Sequence, residues 1–176
     1  RGEINQVSAV LAEVAVCLRA AGRLRHWRDE RLPVMALPID AAVHQAALPG
    51  VDGAVLAYVE RGAARTLGLL THAVHLIGYA DNGELWMQRR ALSKSTDPGL
   101  WDTLAGGLIS EQDTLASGLL RETYEEAGLS GGQLNALTAH GGVLLSRPVD
   151  GADGWMVEWA WAYSATLVEG ALPHNL

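Results

Sequence analysis

Residues 106–129 read GGLISEQDTLASGLLRETYEEAGL, and the rest of the chain has to be built around them. Glu122, Glu125 and Glu126 stand at offsets i, i+3 and i+4, which on an α-helix puts three carboxylates on one face. Like charges this close destabilise a helix unless a cation sits among them. A hard divalent ion such as Mg²⁺, with Mn²⁺ as the substitute, takes oxygen ligands and suits such a trio. The other reading of the pattern is a surface helix with a solvated acidic face.

The helix itself is predicted to start after an N-cap at Thr114 and to run to about Ala127. Leu115, Leu119, Leu120, Thr123 and Ala127 fall on one arc that would pack on a sheet, with the glutamates beside it. Gly118 costs about 0.8–1.0 kcal/mol against alanine in mid-helix, which predicts a close approach at that point. Gly128 stands where a left-handed residue ends the helix.

The same stretch resembles the Nudix box, G-x5-E-x7-R-E-U-x-E-E-x-G-U, where U is a bulky aliphatic residue. Gly107, the Arg121-Glu122 pair, the Glu125-Glu126 pair and Gly128-Leu129 match it. Two positions depart from it. Asp113 stands for a glutamate, with a reach shorter by one methylene, and Thr123 stands at the aliphatic position. The run LWMQRRALSKSTDPGLWDTLAGG, residues 85–107, is similar to the Nudix subgroup related to thiamine diphosphate metabolism. HWRDERLPV and the run from Glu60 to Gly78 are similar to the extension that precedes the Nudix domain in that subgroup.

The resemblance implies an α/β fold, a Nudix-like α/β/α sandwich with a mixed sheet and the box helix on one face. Residues 1–70 would form a small N-terminal α+β extension and 71–176 the Nudix-like domain. The ending ALPHNL follows soon after a predicted strand, where Nudix folds usually continue, so a C-terminal truncation is left open. The implied activity is hydrolysis of a small organic diphosphate: thiamine diphosphate or an oxidised form of it first, a nucleoside diphosphate derivative second. Glu122, Glu125 and Glu126 would hold Mg²⁺, and Arg121, Glu122, Glu125 and Asp113 are the candidate catalytic residues. Arg121 is expected to orient through Asp113 or a box glutamate. Two other readings remain. One is a Nudix-fold binding or regulatory module without turnover. The other is an isopentenyl diphosphate isomerase-like enzyme, ranked low because Ala105-Gly106-Gly107 lacks the cysteine that this family uses.

Composition is consistent with these expectations. The 176 residues suffice for one domain with an extension, and 49% hydrophobic with 19% charged residues reads as globular. A net charge of −7 argues against a nucleic-acid surface. The lone Cys17 cannot form an internal disulfide, and no apolar run has transmembrane length. The expectation is a cytoplasmic protein whose partner is a small-molecule diphosphate, with no nucleic acid and no membrane. A homodimer is compatible with this.

Along the chain, Ile4, Val7, Val10, Leu11, Val14 and Leu18 predict an amphipathic helix ending near Gly22, with Cys17 at least half-buried. Residues 23–31 read as a solvated connection with Trp27 folded onto the domain, or else as a binding patch. Pro33 and Pro38 mark a linker, 41–50 a short helix and 51–60 a strand. A strand over 73–80, a type I′ turn at Asp81-Asn82-Gly83 and a return strand over 84–90 form a hairpin. His72 and His75 read as polar positions at a strand start, with a ligand role as the alternative.

Arg89, Arg90 and Lys94 lie between hairpin and box, as a diphosphate clamp or a solvated loop. The acidic neighbour favours the clamp, and Trp101, Gly106 and Gly107 join it as candidate substrate contacts. One or two strands are predicted over 134–145 and a long one over 155–168. Its Trp155, Trp159 and Trp161 would face the core or stack a flat ring. Glu158 reads as that strand's outward residue, with a metal ligand or base as the less common alternative.

Overall fold

The computed structural model describes residues 2–24, 26–35, 55–94, 97–149 and 154–174. The box helix, α3, runs Leu115–Ala127. Thr114 caps it by accepting from the Ser117 N–H, and Ser117 returns a bond to the cap, which satisfies two orphan donors. Gly128 ends it at φ 65°. Leu115, Gly118, Leu119, Thr123 and Ala127 are buried. A Cβ on Gly118 would come within 2.5 Å of Ile109 Cδ1, so the glycine does permit the close approach. Leu120 departs from the expected arc. It lies 41% exposed, because one residue past Leu119 turns the side chain about 100° away from the sheet. Thr123 fits the aliphatic position because its hydroxyl donates to the Leu119 carbonyl at 2.7 Å.

The fold is mixed α/β around a mixed sheet. β3 (Leu70–Tyr79) pairs in parallel with β9 (Trp155–Leu167), and β9 pairs antiparallel with β8 (Leu134–Pro148). On the other edge of β3 lie β4 (Leu85–Trp86) and β7 (Ala105–Leu108), both antiparallel. α3 covers the face that carries Val74, Leu76 and Tyr163, and these form one core with Leu115 and Leu119. The opposite face presents Thr71, Ala73 and His75. β8 is a single strand, longer than expected, with two register shifts between Asn135 and Gly141.

The hairpin differs from the expectation in two ways. Gly83 N–H bonds the Ala80 carbonyl and Gly83 alone has positive φ, 83°. This is a type I turn closed by a left-handed glycine, not a type I′ turn. The return strand also breaks at Met87. β7 already occupies the edge of β3 from Ala73 to Leu76, so the chain leaves β3. Its next pair, β5 (Gln88–Arg89), joins β6 (Trp101–Asp102) instead.

Before β3 the chain forms α1 (Gly2–Ala20), then β1 (Arg31–Met35) antiparallel to β2 (Val55–Glu60), then the short α2 (Arg61–Thr66). Ala15, Leu24, Leu32 and Val59 form a second core cluster. Within α1 the buried positions are Ser8 and Ala15, while Val7, Val10 and Cys17 are exposed, contrary to the expected stripe. Pro33 lies inside β1, not in a linker. It is tolerated because β1 is an edge of a two-stranded sheet, where a missing N–H costs no ladder bond. Trp27 packs against this cluster, under the Arg19 guanidinium, as expected of a tryptophan folded onto the domain. The expected helix over 41–50, Pro38 and the start of the strand over 51–60 lie outside the described residues. α2 was not expected. Glu60 caps it and also accepts from the Arg28 N–H at 2.7 Å. Among the described residues no helix is long and apolar enough to cross a membrane.

His72 is buried inside β3 and not at an exposed strand start. Its Nδ1 accepts from the Trp161 indole N–H at 3.1 Å, so the neutral ring carries its proton on Nε2, which has no partner among the described residues. Burial pushes its pKa down to about 4. Below pH ~6.5 the unfolded chain takes up a proton that the folded chain refuses. We therefore expect stability to fall from pH ~6.5 to ~4, by up to about 3 kcal/mol from this group. Urea unfolding of wild type and His72→Gln across that range checks it; parallel pH slopes for the two would refute it.

Candidate active site

β7 brings the carboxylates of α3 to the other side of the sheet edge. Its Gly106 and Gly107 have no side chains in the way. A Cβ on Gly107 would run into the Glu122 carboxylate, and one on Gly106 into His75 Nδ1. The Gly106 N–H donates to Glu126 Oε2 at 3.0 Å. Glu122, Glu125 and Glu126 thus line a cleft of about 1300 Å³, together with Arg90, Lys94 and Trp101.

Arg121 organises this wall. It donates to Glu122 at 2.8 Å, to Glu125 at 3.2 Å, to the Leu108 carbonyl at 3.0 Å and to Asp113 at 2.7 Å. Asp113 also accepts from the N–H and hydroxyl of Ser110. Burial raises the Asp113 pKa, but the bonds from Arg121 and Ser110 outweigh it and hold the carboxyl below its ordinary value. Asp113 therefore sits behind Arg121, and it does not line the cleft. Burial pushes the Glu122 carboxyl up, and the charges of Glu126 and Glu125 add to that against the pull of Arg121.

The chemistry of these groups fits a hard cation. Glu122, Glu125 and Glu126 each keep one oxygen outside the hydrogen bonds of the described residues; that of Glu126 lies 3.9 Å from Lys94 Nζ. No three His, Cys, Asp or Glu among the described residues are already gathered for a metal. Glu126 Oε2 also accepts from Gln88 at 2.7 Å.

The basic trio does not gather as one clamp. Lys94 faces Glu126, and Arg90 lines the cleft while bonded to Asp102 at 2.7 Å. Arg89 instead borders a separate cavity of about 280 Å³ beside Trp86 and Met87. Neighbours along an extended chain point to opposite sides, which separates Arg89 from Arg90. Trp101 is 67% exposed at the cleft. Trp159 and Trp161 face the α3 side and pack on each other at 5.7 Å, so they offer no ring platform in the cleft. Sequence reasoning missed Gln88 and Asp102, for which the sequence carries no signal. It favoured the outward reading of Glu158, which does lie on the face turned away from the α3 core and there lines the cleft.

Residues 69–175 match the NUDIX domain family model, which is more than half of the chain. The chain belongs to the Nudix family. It is similar to Nudix hydrolase 20, chloroplastic, of Arabidopsis thaliana, 38% identical over 85 residues, 47% of this chain and 23% of that protein. It is also 33% identical over 93 residues to an uncharacterized Nudix hydrolase of Pseudomonas aeruginosa, PA4841, covering 53% of each chain. The chain thus spans from about a quarter to about half the length of these two relatives. In fold it is similar to DR0079 from Deinococcus radiodurans, with a TM-score of 0.58 and 20% identity over 84% of this chain and 76% of that one. The Nudix domain begins at the start of β3, and α1, β1, β2 and α2 precede it.

Proposed function

We propose that this chain hydrolyses a small organic diphosphate with Mg²⁺ or Mn²⁺ held by Glu122, Glu125 and Glu126. The observation that carries this is the carboxylate trio lining one cleft together with Arg90 and Lys94. The ion, when bound, offsets the negative charge that makes a diphosphate resist attack and acidifies water. Arg121 is the orienter: its fork fixes Glu122 and Glu125 and is itself fixed by Asp113. Lys94 and Arg90 supply positive charge for the diphosphate oxygens. One of the glutamates, or a carboxylate outside the box, takes the proton from water.

The first choice of substrate is thiamine diphosphate or an oxidised form of it, supported by the subgroup resemblance of residues 85–107. A nucleoside diphosphate derivative is second. Residues 1–70 are taken as an N-terminal extension, and the compartment as the cytoplasm. The isomerase reading is weaker still, because Cys17 lies exposed on α1 and does not line the cleft. A binding module without turnover is the second reading, favoured by the prior engagement of the carboxylates with Arg121 and Gln88.

The test is a panel of diphosphates assayed with Mg²⁺ for phosphate release. Thiamine derivatives are expected to turn over fastest. If they are no faster than an unrelated nucleotide, the subgroup inference fails while hydrolysis stands. Silence across the panel with metal bound moves the weight to the binding module. A second expectation concerns Asp113→Asn. It should lower activity about tenfold, roughly 1.4 kcal/mol, by loosening Arg121. Metal affinity, measured by calorimetry with Mn²⁺, should stay within about twofold. A tenfold loss of affinity would mean that the aspartate serves the ion directly.

A further inference from the structure

Glu158 is a carboxylate that no described residue satisfies. On β9 it pairs with Thr71 of β3 and Leu145 of β8, on the face that forms the cleft. It makes no hydrogen bond or ion pair with any described residue. The Thr71 hydroxyl is committed to the Val157 carbonyl at 3.2 Å, and Leu145 has nothing to donate. The cations around it look elsewhere: Arg61 binds Glu30, Arg147 binds Asp97 and Arg65 donates to Met156 Sδ. Burial pushes its pKa up, and the fields of His75, Arg65, Arg147 and Arg61 only partly offset this. A half-buried carboxylate without a protein donor keeps its acceptor capacity for a ligand that supplies one.

Its place in the cleft says what that ligand is. Thr71, beside Glu158, and His75, beside Gly106, are four residues apart on β3, about 13 Å. Glu158 therefore stands outside the carboxylate set that faces Lys94. A diphosphate is repelled by this carboxylate and drawn to the Lys94 and Arg90 end. The organic part of the substrate falls to Glu158.

We propose that Glu158 determines specificity by accepting hydrogen bonds from amino or hydroxyl groups on the organic moiety of the diphosphate. This rests on the diphosphate-hydrolase reading. The substrate class is narrowed to diphosphates whose organic part carries hydrogen-bond donors, and alkyl diphosphates are disfavoured. A site built around an acceptor rejects a ligand without the donor, because the half-buried acceptor is then closed off from water and left unpaired in the complex.

The experiment compares wild type, Glu158→Leu and Glu158→Gln on thiamine diphosphate and ADP, which carry donors, and on isopentenyl diphosphate, which carries none. Hydrolysis is followed with Mg²⁺, and equilibrium binding of the same three compounds is followed with Ca²⁺. Wild type is expected to favour a donor-bearing compound at least tenfold over isopentenyl diphosphate. Glu158→Leu should erase that preference, mainly through KM, and leave isopentenyl diphosphate unchanged or better. Glu158→Gln, which keeps the shape and one acceptor oxygen, should fall between and shows that folding is intact. Mn²⁺ affinity should not change in either variant. An unchanged preference in Glu158→Leu overturns the proposal, and so does loss of Mn²⁺ binding, which would make Glu158 a metal ligand. If wild type hydrolyses none of the three, the hydrolase reading fails, and the binding preference still decides the role of Glu158.

Discussion

Glutamine at positions 122, 125 and 126 together is expected to abolish Mg²⁺ and Mn²⁺ binding in calorimetry and to cut diphosphate hydrolysis about a thousandfold or more. The size follows from what a Lewis acid contributes to a phosphoryl transition state, several kcal/mol, at 1.36 kcal/mol per factor of ten. Glutamine keeps the acceptor oxygens that receive bonds from Arg121 and the Gly106 N–H, so the local scaffold survives. Removing like charges that push the Glu122 carboxyl upward relieves repulsion at the same time. The melting temperature of the variant should therefore stay within a few degrees of wild type, which separates loss of the ion from loss of the fold. Equal metal binding by both proteins would remove the metal-site reading.

Local chemistry makes α3 legible in the sequence alone. Thr114, Gly118 and Gly128 each serve the backbone role that the residue type suggests, because caps and glycine packing are set within a few residues of chain. Thr123 departs from the box in type but only mildly in effect, because the helix itself accepts its hydroxyl. The hairpin was legible only to its turn. Its return strand is cut short by β7, a segment some twenty residues further on, and no local pattern announces that competition for the edge of β3.

The site was legible in proportion to how much of it lies on one element. Arg121, Glu122, Glu125 and Glu126 share α3, so helical geometry alone gathered them. Gln88 and Asp102 come from short segments whose pairing, β5 with β6, depends on where the chain leaves β3. Glu158 was judged by its apolar neighbours. In a strand those neighbours point the other way, so Trp159 and Trp161 say what lies behind the sheet and nothing about the cleft before it. Arg89 erred for the same reason, since adjacency to Arg90 in sequence means opposite sides in an extended chain.

Arg121→Met should be the most destabilising single change at the site. Arg121 is the one cation that bonds Asp113, Glu122 and Glu125 among the described residues, and the Asp113 side chain is only 8% exposed. Removing one partner of a buried pair leaves a charge that water cannot reach, which typically costs about 3–5 kcal/mol. Arg121 itself is about a third exposed, so the expected loss is nearer about 2–3 kcal/mol by urea unfolding at neutral pH. Lysine should restore little of it, because a single ammonium cannot reach Asp113, Glu122, Glu125 and the Leu108 carbonyl at once. The pH dependence gives an independent check. The Asp113 carboxyl is held below its ordinary value, so its contribution is present above pH ~4 and is lost as the pH falls through the folded-state value. In Arg121→Met that acid-side loss should shrink, and pairing the change with Asp113→Asn should cost less than the two single changes added together. Strict additivity would mean that Arg121 stabilises the protein through packing of its stem rather than through the carboxylates it holds.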